Sequence, residues 1–185
     1  MEEIKKIHKL FSLKEVDRYG IVKDRQESSA EHSYSSLMLA QYFLPKIKKN
    51  LDELKVMKML LYHDVVEIEA GDTYFLDYKP EEKERNALKI LKKKIPGSMA
   101  GEIEDLWEEF EENKTPEAKF CQAIDKFDPV IHFLEHKKEW KKAKVTEKIM
   151  RDRKDRYFKE FPVIMEMWDK IVDYYKKEGC FLDDK

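Results

Sequence analysis

Residues 27–43 read Glu27-Ser-Ser-Ala-Glu-His-Ser-Tyr-Ser-Ser-Leu-Met-Leu-Ala-Gln-Tyr-Phe43, with Leu44-Pro45 directly after. Ser28 stands three residues before Glu31, the pairing in which an N-cap hydroxyl and a carboxylate satisfy each other's backbone N–H groups. The segment therefore predicts a helix that opens at Ser28 and runs to about Phe43, where Pro45 ends it. The helical rhythm extends in both directions. Ile4, Ile7, Leu10 and Phe11 recur at three and four residues and mark a first helix. Asp52 caps a third, with Leu54, Met57, Leu60 and Leu61 on its buried stripe, ending near His63-Asp64. Pro80 opens a charged helix that closes around Ile95, and Ile103, Leu106, Trp107 and Phe110 mark a short one. Thr115-Pro116, an N-cap followed by Pro at the first helical position, starts a long helix through Phe120, Ile124 and Phe127. A last helix, from about Phe161 to Lys177, carries Ile164, Met167, Trp168, Ile171 and Tyr175 and stops at Gly179. Strand-like alternation is hard to find. The pattern predicts one all-α domain over residues 1–185, with no repeat and no linker.

Of the 185 residues, 42% are hydrophobic, enough for one core, and 41% are charged. With 37 basic and 39 acidic residues the net charge is only −2. That balance gives no global electrostatic reason to expect nucleic-acid or membrane binding. Asn and Gln are scarce beside Lys and Glu, a surface like that of heat-adapted proteins. No apolar run approaches the roughly 20 residues of a membrane helix, and the N-terminal stretch lacks the apolar centre of a signal peptide. Cys121 and Cys180 form no CxxC pair, and Cys121 reads as a buried free thiol. A soluble, cytoplasmic protein is expected.

Candidate metal ligands are His32, the adjacent pair His63-Asp64, and Asp125, each in a helix or at a helix end. Imidazole with carboxylate suits a divalent cation such as Mn, Co, Fe or Zn. Two His and two Asp leave coordination positions for water and a phosphoryl oxygen, as metal-assisted hydrolysis requires. On spacing alone, a His beside an Asp reads equally as an ordinary hydrogen-bonded pair. Glu67 follows His63 by four and Asp64 by three, so a continuing helical turn puts all three on one face. Gly71-Asp72 turns the chain just beyond.

The stretches Glu27-Ser-Ser-Ala-Glu-His-Ser33, His63-Asp-Val-Val-Glu-Ile-Glu-Ala-Gly-Asp-Thr73 and Ala123-Ile-Asp-Lys-Phe127 resemble the signature blocks of HD-domain phosphohydrolases. More narrowly they resemble the 5′-deoxynucleotidase branch, and the blocks occur in the same order. The resemblance implies an all-α HD-domain bundle with one divalent metal (Mn, Co, Fe, Zn or Mg) on His32, His63, Asp64 and Asp125. It implies that Glu67 orients or deprotonates the attacking water and that Asp72 is a second acid–base or positioning group. The division of labour between the two stays open. Arg18 matches the family arginine that holds the substrate phosphate, where a guanidinium grips two oxygens in a way Lys cannot reproduce. Without the resemblance, Arg18 reads as a surface salt bridge to Glu15 or Asp17. The resemblance also implies that Thr73 adds a hydroxyl near the phosphate. One position departs: Tyr19 stands where well-known bacterial members carry a Trp that helps reject ribose, which puts sugar selectivity in doubt.

The implied reaction is metal-dependent hydrolysis of (deoxy)nucleoside 5′-monophosphates to nucleoside and phosphate. Alternatives on the same scaffold are a phosphodiesterase or signalling-nucleotide hydrolase, and a non-catalytic metal-bound nucleotide sensor. The sensor predicts a missing acid–base residue, and none is missing. A remoter reading rests on His132-Phe-Leu-Glu-His136, which fits the HxxEH pattern of inverted zinc metalloproteases. Either histidine is instead a candidate partner standing behind Asp125, seven residues before His132. The run Lys137-Lys-Glu-Trp-Lys-Lys142 reads as a solvated face rather than a nucleic-acid patch. A homodimer is expected, with Trp168, Ile171, Tyr174 and Tyr175 of the last helix offering the apolar surface.

Overall fold

The computed structural model describes residues 1–73, 81–136, 142 and 144–182. Helix α1 (Glu2–Leu10) passes through a 3₁₀ turn (Phe11–Glu15) into an antiparallel hairpin of β1 (Asp17–Val22) and β2 (Arg25–Ser28). Asp17 pairs with Ser28 and Val22 with Arg25, with an irregularity in register between. Lys23 makes the turn at φ 58°. This hairpin was not expected from the sequence: its turn has no Gly or Asn, and its strands alternate weakly. It leaves the all-α class intact and supplies the strand that carries Arg18.

Ser28 then caps α2 (Ser29–Phe43) as its sequence predicts. Its Oγ accepts from Glu31 N, while the Glu31 carboxylate accepts from Ser28 N at 2.9 Å. Asp52 caps α3 (Glu53–Tyr62) by accepting from Lys55 N, and a short α4 (Glu67–Ala70) follows. Helix α5 (Glu81–Leu91) ends four residues before Ile95, because Lys93 and Lys94 switch to i→i−3 bonds that tighten the last turn. Pro80, expected to open it, lies outside the described residues. Helix α6 (Gly97–Glu112) stops at Asn113 in the left-handed conformation. Thr115 accepts from Ala118 N and Pro116 occupies the first position of α7 (Pro116–His132). Among the described residues two further helices follow, α8 (Glu147–Phe158), capped by Thr146, and α9 (Pro162–Lys177). Helix α8 was not read from the sequence, since most of its side chains are charged.

A chain of aromatic edges crosses the core. Phe43 of α2 meets Phe127 of α7 at 5.6 Å, Phe127 meets Phe158 of α8 at 5.5 Å, and Phe158 meets Trp168 of α9 at 5.6 Å. Each such pair contributes about 0.5–1.5 kcal/mol beyond its buried area. The Tyr175 hydroxyl donates to the Val130 carbonyl at 2.7 Å and pins α9 to α7. Trp168, Ile171 and Tyr175 are therefore core residues of this chain, while Tyr174 of the same expected set is exposed. That corrects the expectation that they face a second copy: helical periodicity says that a face is buried, not by what. Exposed apolar side chains lie instead at Ile4, Ile7 and Phe11, and on α2 at Tyr34, Met38 and Tyr42. Among the described residues, no helix is long and apolar enough to cross a membrane. The Lys137–Lys141 run lies outside the described residues.

Candidate active site

The capping box sets His32 one turn into α2, and His63 with Asp64 follows the last turn of α3. Asp125 lies on α7, and the His32 and His63 ring centroids are 5.3 Å apart. Each ring is held from behind through Nδ1. That of His32 lies 2.7 Å from Asp128 Oδ2, and that of His63 lies 2.8 Å from the Leu60 carbonyl oxygen. A carbonyl only accepts, so His63 carries a proton on Nδ1 and turns Nε2 into the site. That Nε2 is buried and has no hydrogen-bond partner, a costly state for a polar atom.

One ligand atom each from His32, His63 and Asp125 falls within 4.8 Å of the others. Asp64 Oδ2 lies 3.3 Å from His63 Nε2 and 3.7 Å from His32 Nε2. An orphaned imidazole nitrogen, a second imidazole, the buried Asp125 carboxylate and the partly buried Asp64 carboxylate form a donor set that fits a divalent cation.

Arg18 reaches into the same place from β1. Its Nη1 donates to Asp64 Oδ2 at 2.9 Å and lies 3.4 Å from Asp72 Oδ1 and 3.7 Å from Glu67 Oε2. The side chain is 15% exposed and turned inward onto these acids, not outward to Glu15 or Asp17. Asp72 arrives because Gly71 takes φ 73°, a conformation only glycine adopts freely; a Cβ there would meet nothing, so the need is conformational. Glu67 Oε2 accepts from Ser29 Oγ at 2.6 Å. Tyr19 and Thr73 flank the cluster in sequence, Tyr19 at 44% exposure and Thr73 half-buried.

Charge is unevenly distributed here. Burial and the Arg18 charge both oppose protonation of His32, yet Asp128 and Asp125 outweigh them and push its pKa up to about 10. Burial lowers the His63 pKa. Burial opposes ionisation of Asp125, but Lys126 and His32 hold its carboxyl well below the ordinary range. Glu67 goes the other way: burial and the neighbouring Asp64 charge raise it well above that range. Burial also works against the Arg18 charge, and Asp64, Glu67 and Asp72 more than compensate. Two carboxyl groups with pKa values pushed apart are a recurring sign of acid–base chemistry.

Three contributors were missed in the sequence. Asp128 sits one turn after Asp125, a spacing that pointed to it. Ser29 and Lys126 adjoin residues already marked, and Lys126 Nζ lies 2.6 Å from Asp125 Oδ2. The HxxEH reading is corrected. His132 Nδ1 lies 3.3 Å from Glu27 Oε1 and Nε2 lies 3.1 Å from the Ile21 carbonyl, so both nitrogens are engaged away from Asp125. His136 stacks on the His132 ring at 5.5 Å.

A family model for the HD domain matches residues 10–166. The 5'-deoxynucleotidase HDDC2 of Dictyostelium discoideum is 32% identical over 139 residues, covering 69% of this chain and 73% of that protein. The Homo sapiens 5'-deoxynucleotidase HDDC2 is 30% identical over 132 residues, covering 67% of this chain and 63% of that protein, so the chain spans under two thirds of its length. A crystal structure described as a predicted metal-dependent phosphohydrolase from Magnetospirillum magnetotacticum is 28% identical, with a TM-score of 0.85. It covers 98% of this chain and 95% of its own. With the match spanning most of its length and His32, His63, Asp64 and Asp125 brought together by its helices, this chain belongs to the HD-domain family.

Proposed function

We propose that this protein hydrolyses 5′-(deoxy)nucleoside monophosphates to nucleoside and inorganic phosphate, using one divalent cation held by His32, His63, Asp64 and Asp125. The observation that carries the reading is the placement of one partly buried guanidinium, that of Arg18, 2.9 Å from an acid of the candidate cation site. A cation and an arginine side by side suit one phosphoryl group. The printed names of the Dictyostelium and human relatives favour the same substrate class.

A bound divalent cation would polarise a phosphoryl oxygen and lower the pKa of a water. The chain's own residues do the rest. Arg18 exchanges its carboxylate partners for phosphate oxygens, with two donors available for two acceptors. Glu67, fixed by Ser29, orients the attacking water and takes or returns a proton. Asp72, on the Arg18 side, positions the leaving group or shares that proton work. Thr73 adds a hydroxyl beside the phosphate, and Tyr19 borders the sugar. The exposed Tyr34, Met38 and Tyr42, spaced by four on α2, favour a homodimer through that face rather than through α9. The free thiols of Cys121 and Cys180 agree with a cytoplasmic setting.

The test is phosphate release from a panel of ribo- and deoxyribonucleoside monophosphates with Mn, Co, Fe, Zn or Mg. Release from none of them overturns the reading. Asp64→Ala is expected to lose both cation and turnover, and full cation occupancy by elemental analysis removes Asp64 from the ligand set.

A further inference from the structure

His132 ends α7, seven residues and about two turns beyond Asp125. Its side chain leaves the helix for the hairpin and touches both strands. Nε2 lies 3.1 Å from the Ile21 carbonyl of β1, and Nδ1 lies 3.3 Å from Glu27 Oε1 of β2. A carbonyl and a carboxylate are both acceptors, so the ring satisfies both by donating from each nitrogen, as an imidazolium. The bond to Glu27 correspondingly holds its pKa above the ordinary histidine value.

Glu27 is 5% exposed and stands between two cations. While Oε1 faces His132, Oε2 lies 3.9 Å from Arg18 Nε, a different nitrogen from the one that meets Asp64. Gly20 makes the arrangement possible. A Cβ there would fall 2.8 Å from Glu27 Oε2 and 2.9 Å from His132 Nε2, so the pair packs directly on the strand backbone two residues from Arg18.

We infer that Glu27 and His132 are positioning residues that fix the Arg18 guanidinium and tie its hairpin to the helix carrying Asp125, and so set affinity for the substrate phosphate. The inference rests on the proposed role of Arg18 as phosphate anchor. An arginine has many rotamers, and one held before the ligand arrives has less freedom to lose on binding.

The experiment measures the Kd of inorganic phosphate for the Mn-loaded protein by calorimetry, and KM and kcat for a mononucleotide. The variants are Glu27→Gln, His132→Gln, their combination, and Gly20→Ala, which wedges the pair apart without removing a charge. Kd and KM are expected to rise roughly 10- to 100-fold in each, as for other misplacements of a binding group. Mn content stays the same and kcat changes less than KM. The double variant is expected to be no worse than the worse single one, as for groups acting in one chain. Arg25→Gln, which loosens the exposed end of the same hairpin, leaves Kd and KM unchanged. Unaltered phosphate affinity in Glu27→Gln and Gly20→Ala overturns the inference, whatever the fate of His132→Gln. If the wild type binds phosphate but releases none from any mononucleotide, the proposed reaction fails, and weaker phosphate binding in the variants still supports the clamp.

Discussion

Asp128 Oδ2 stands 2.7 Å from His32 Nδ1, on the side of the ring opposite the nitrogen that meets Asp125 at 3.0 Å. A carboxylate in that place holds the ring's orientation, keeps a proton on Nδ1 and makes Nε2 a better donor to a cation. Asp128→Ala is expected to lower cation affinity about 10- to 100-fold, the usual effect of losing such a partner. Titration with Mn or Co, read by elemental analysis of the dialysed protein, checks it. Affinity equal to wild type would mean that the ring is held by its packing alone.

Glu67 accepts from Ser29 Oγ at 2.6 Å, and burial with the neighbouring Asp64 favours its protonated form. Glu67→Gln keeps the size and removes the ionisable group. Cation content should stay while turnover falls by roughly 10²–10⁴-fold. Near-normal turnover would assign the proton work to Asp72 or to a cation-bound hydroxide alone.

Tyr19 follows Arg18 on β1 and is 44% exposed. A flat apolar ring beside the sugar denies a 2′-hydroxyl any partner, at a cost of about 1–3 kcal/mol. A phenol covers less and offers a hydrogen bond of its own. The ratio of kcat/KM for dAMP over AMP is therefore expected to be about tenfold or less, about 1.4 kcal/mol, and to increase in Tyr19→Trp. A thousandfold preference already present in the wild type and unmoved by Trp would show that another residue checks the sugar.

Lys154 is buried and donates to the Lys126 carbonyl at 2.5 Å. Burial first, and then the Lys126 charge, lower its pKa from 10.5 to about 7. Between those values the unfolded chain holds a proton that the folded chain lacks, so stability rises with pH across the window. Below the folded value the cost of the buried charge is complete. Lys154→Met removes this slope, and any stabilisation it brings should be larger at pH 6 than at pH 9. Urea unfolding at both pH values measures it, and a pH-independent difference between variant and wild type would rule it out.

Local signals carried most of the helices. Ser28 with Glu31, Asp52, and Thr115 with Pro116 each act within four residues, and the structure uses every one as a cap. The residue types of the candidate cation site stood out in the sequence for the same reason: ligand chemistry belongs to the side chain, and the HD-type blocks kept their order along the chain. What depends on distance in sequence was not legible. The hairpin of β1 and β2 gains its stability from pairing and from His132, more than a hundred residues on, and its own residues signal a strand only weakly. Helix α8 shows little apolar pattern because only Met150, Lys154 and Phe158 are buried. The stripe of Trp168, Ile171 and Tyr175 was readable as a buried face, but a second copy and the rest of the chain remove water from it equally well. Only the tertiary structure decided between them, because hydrophobic burial depends on the area withdrawn from water and not on which surface withdraws it.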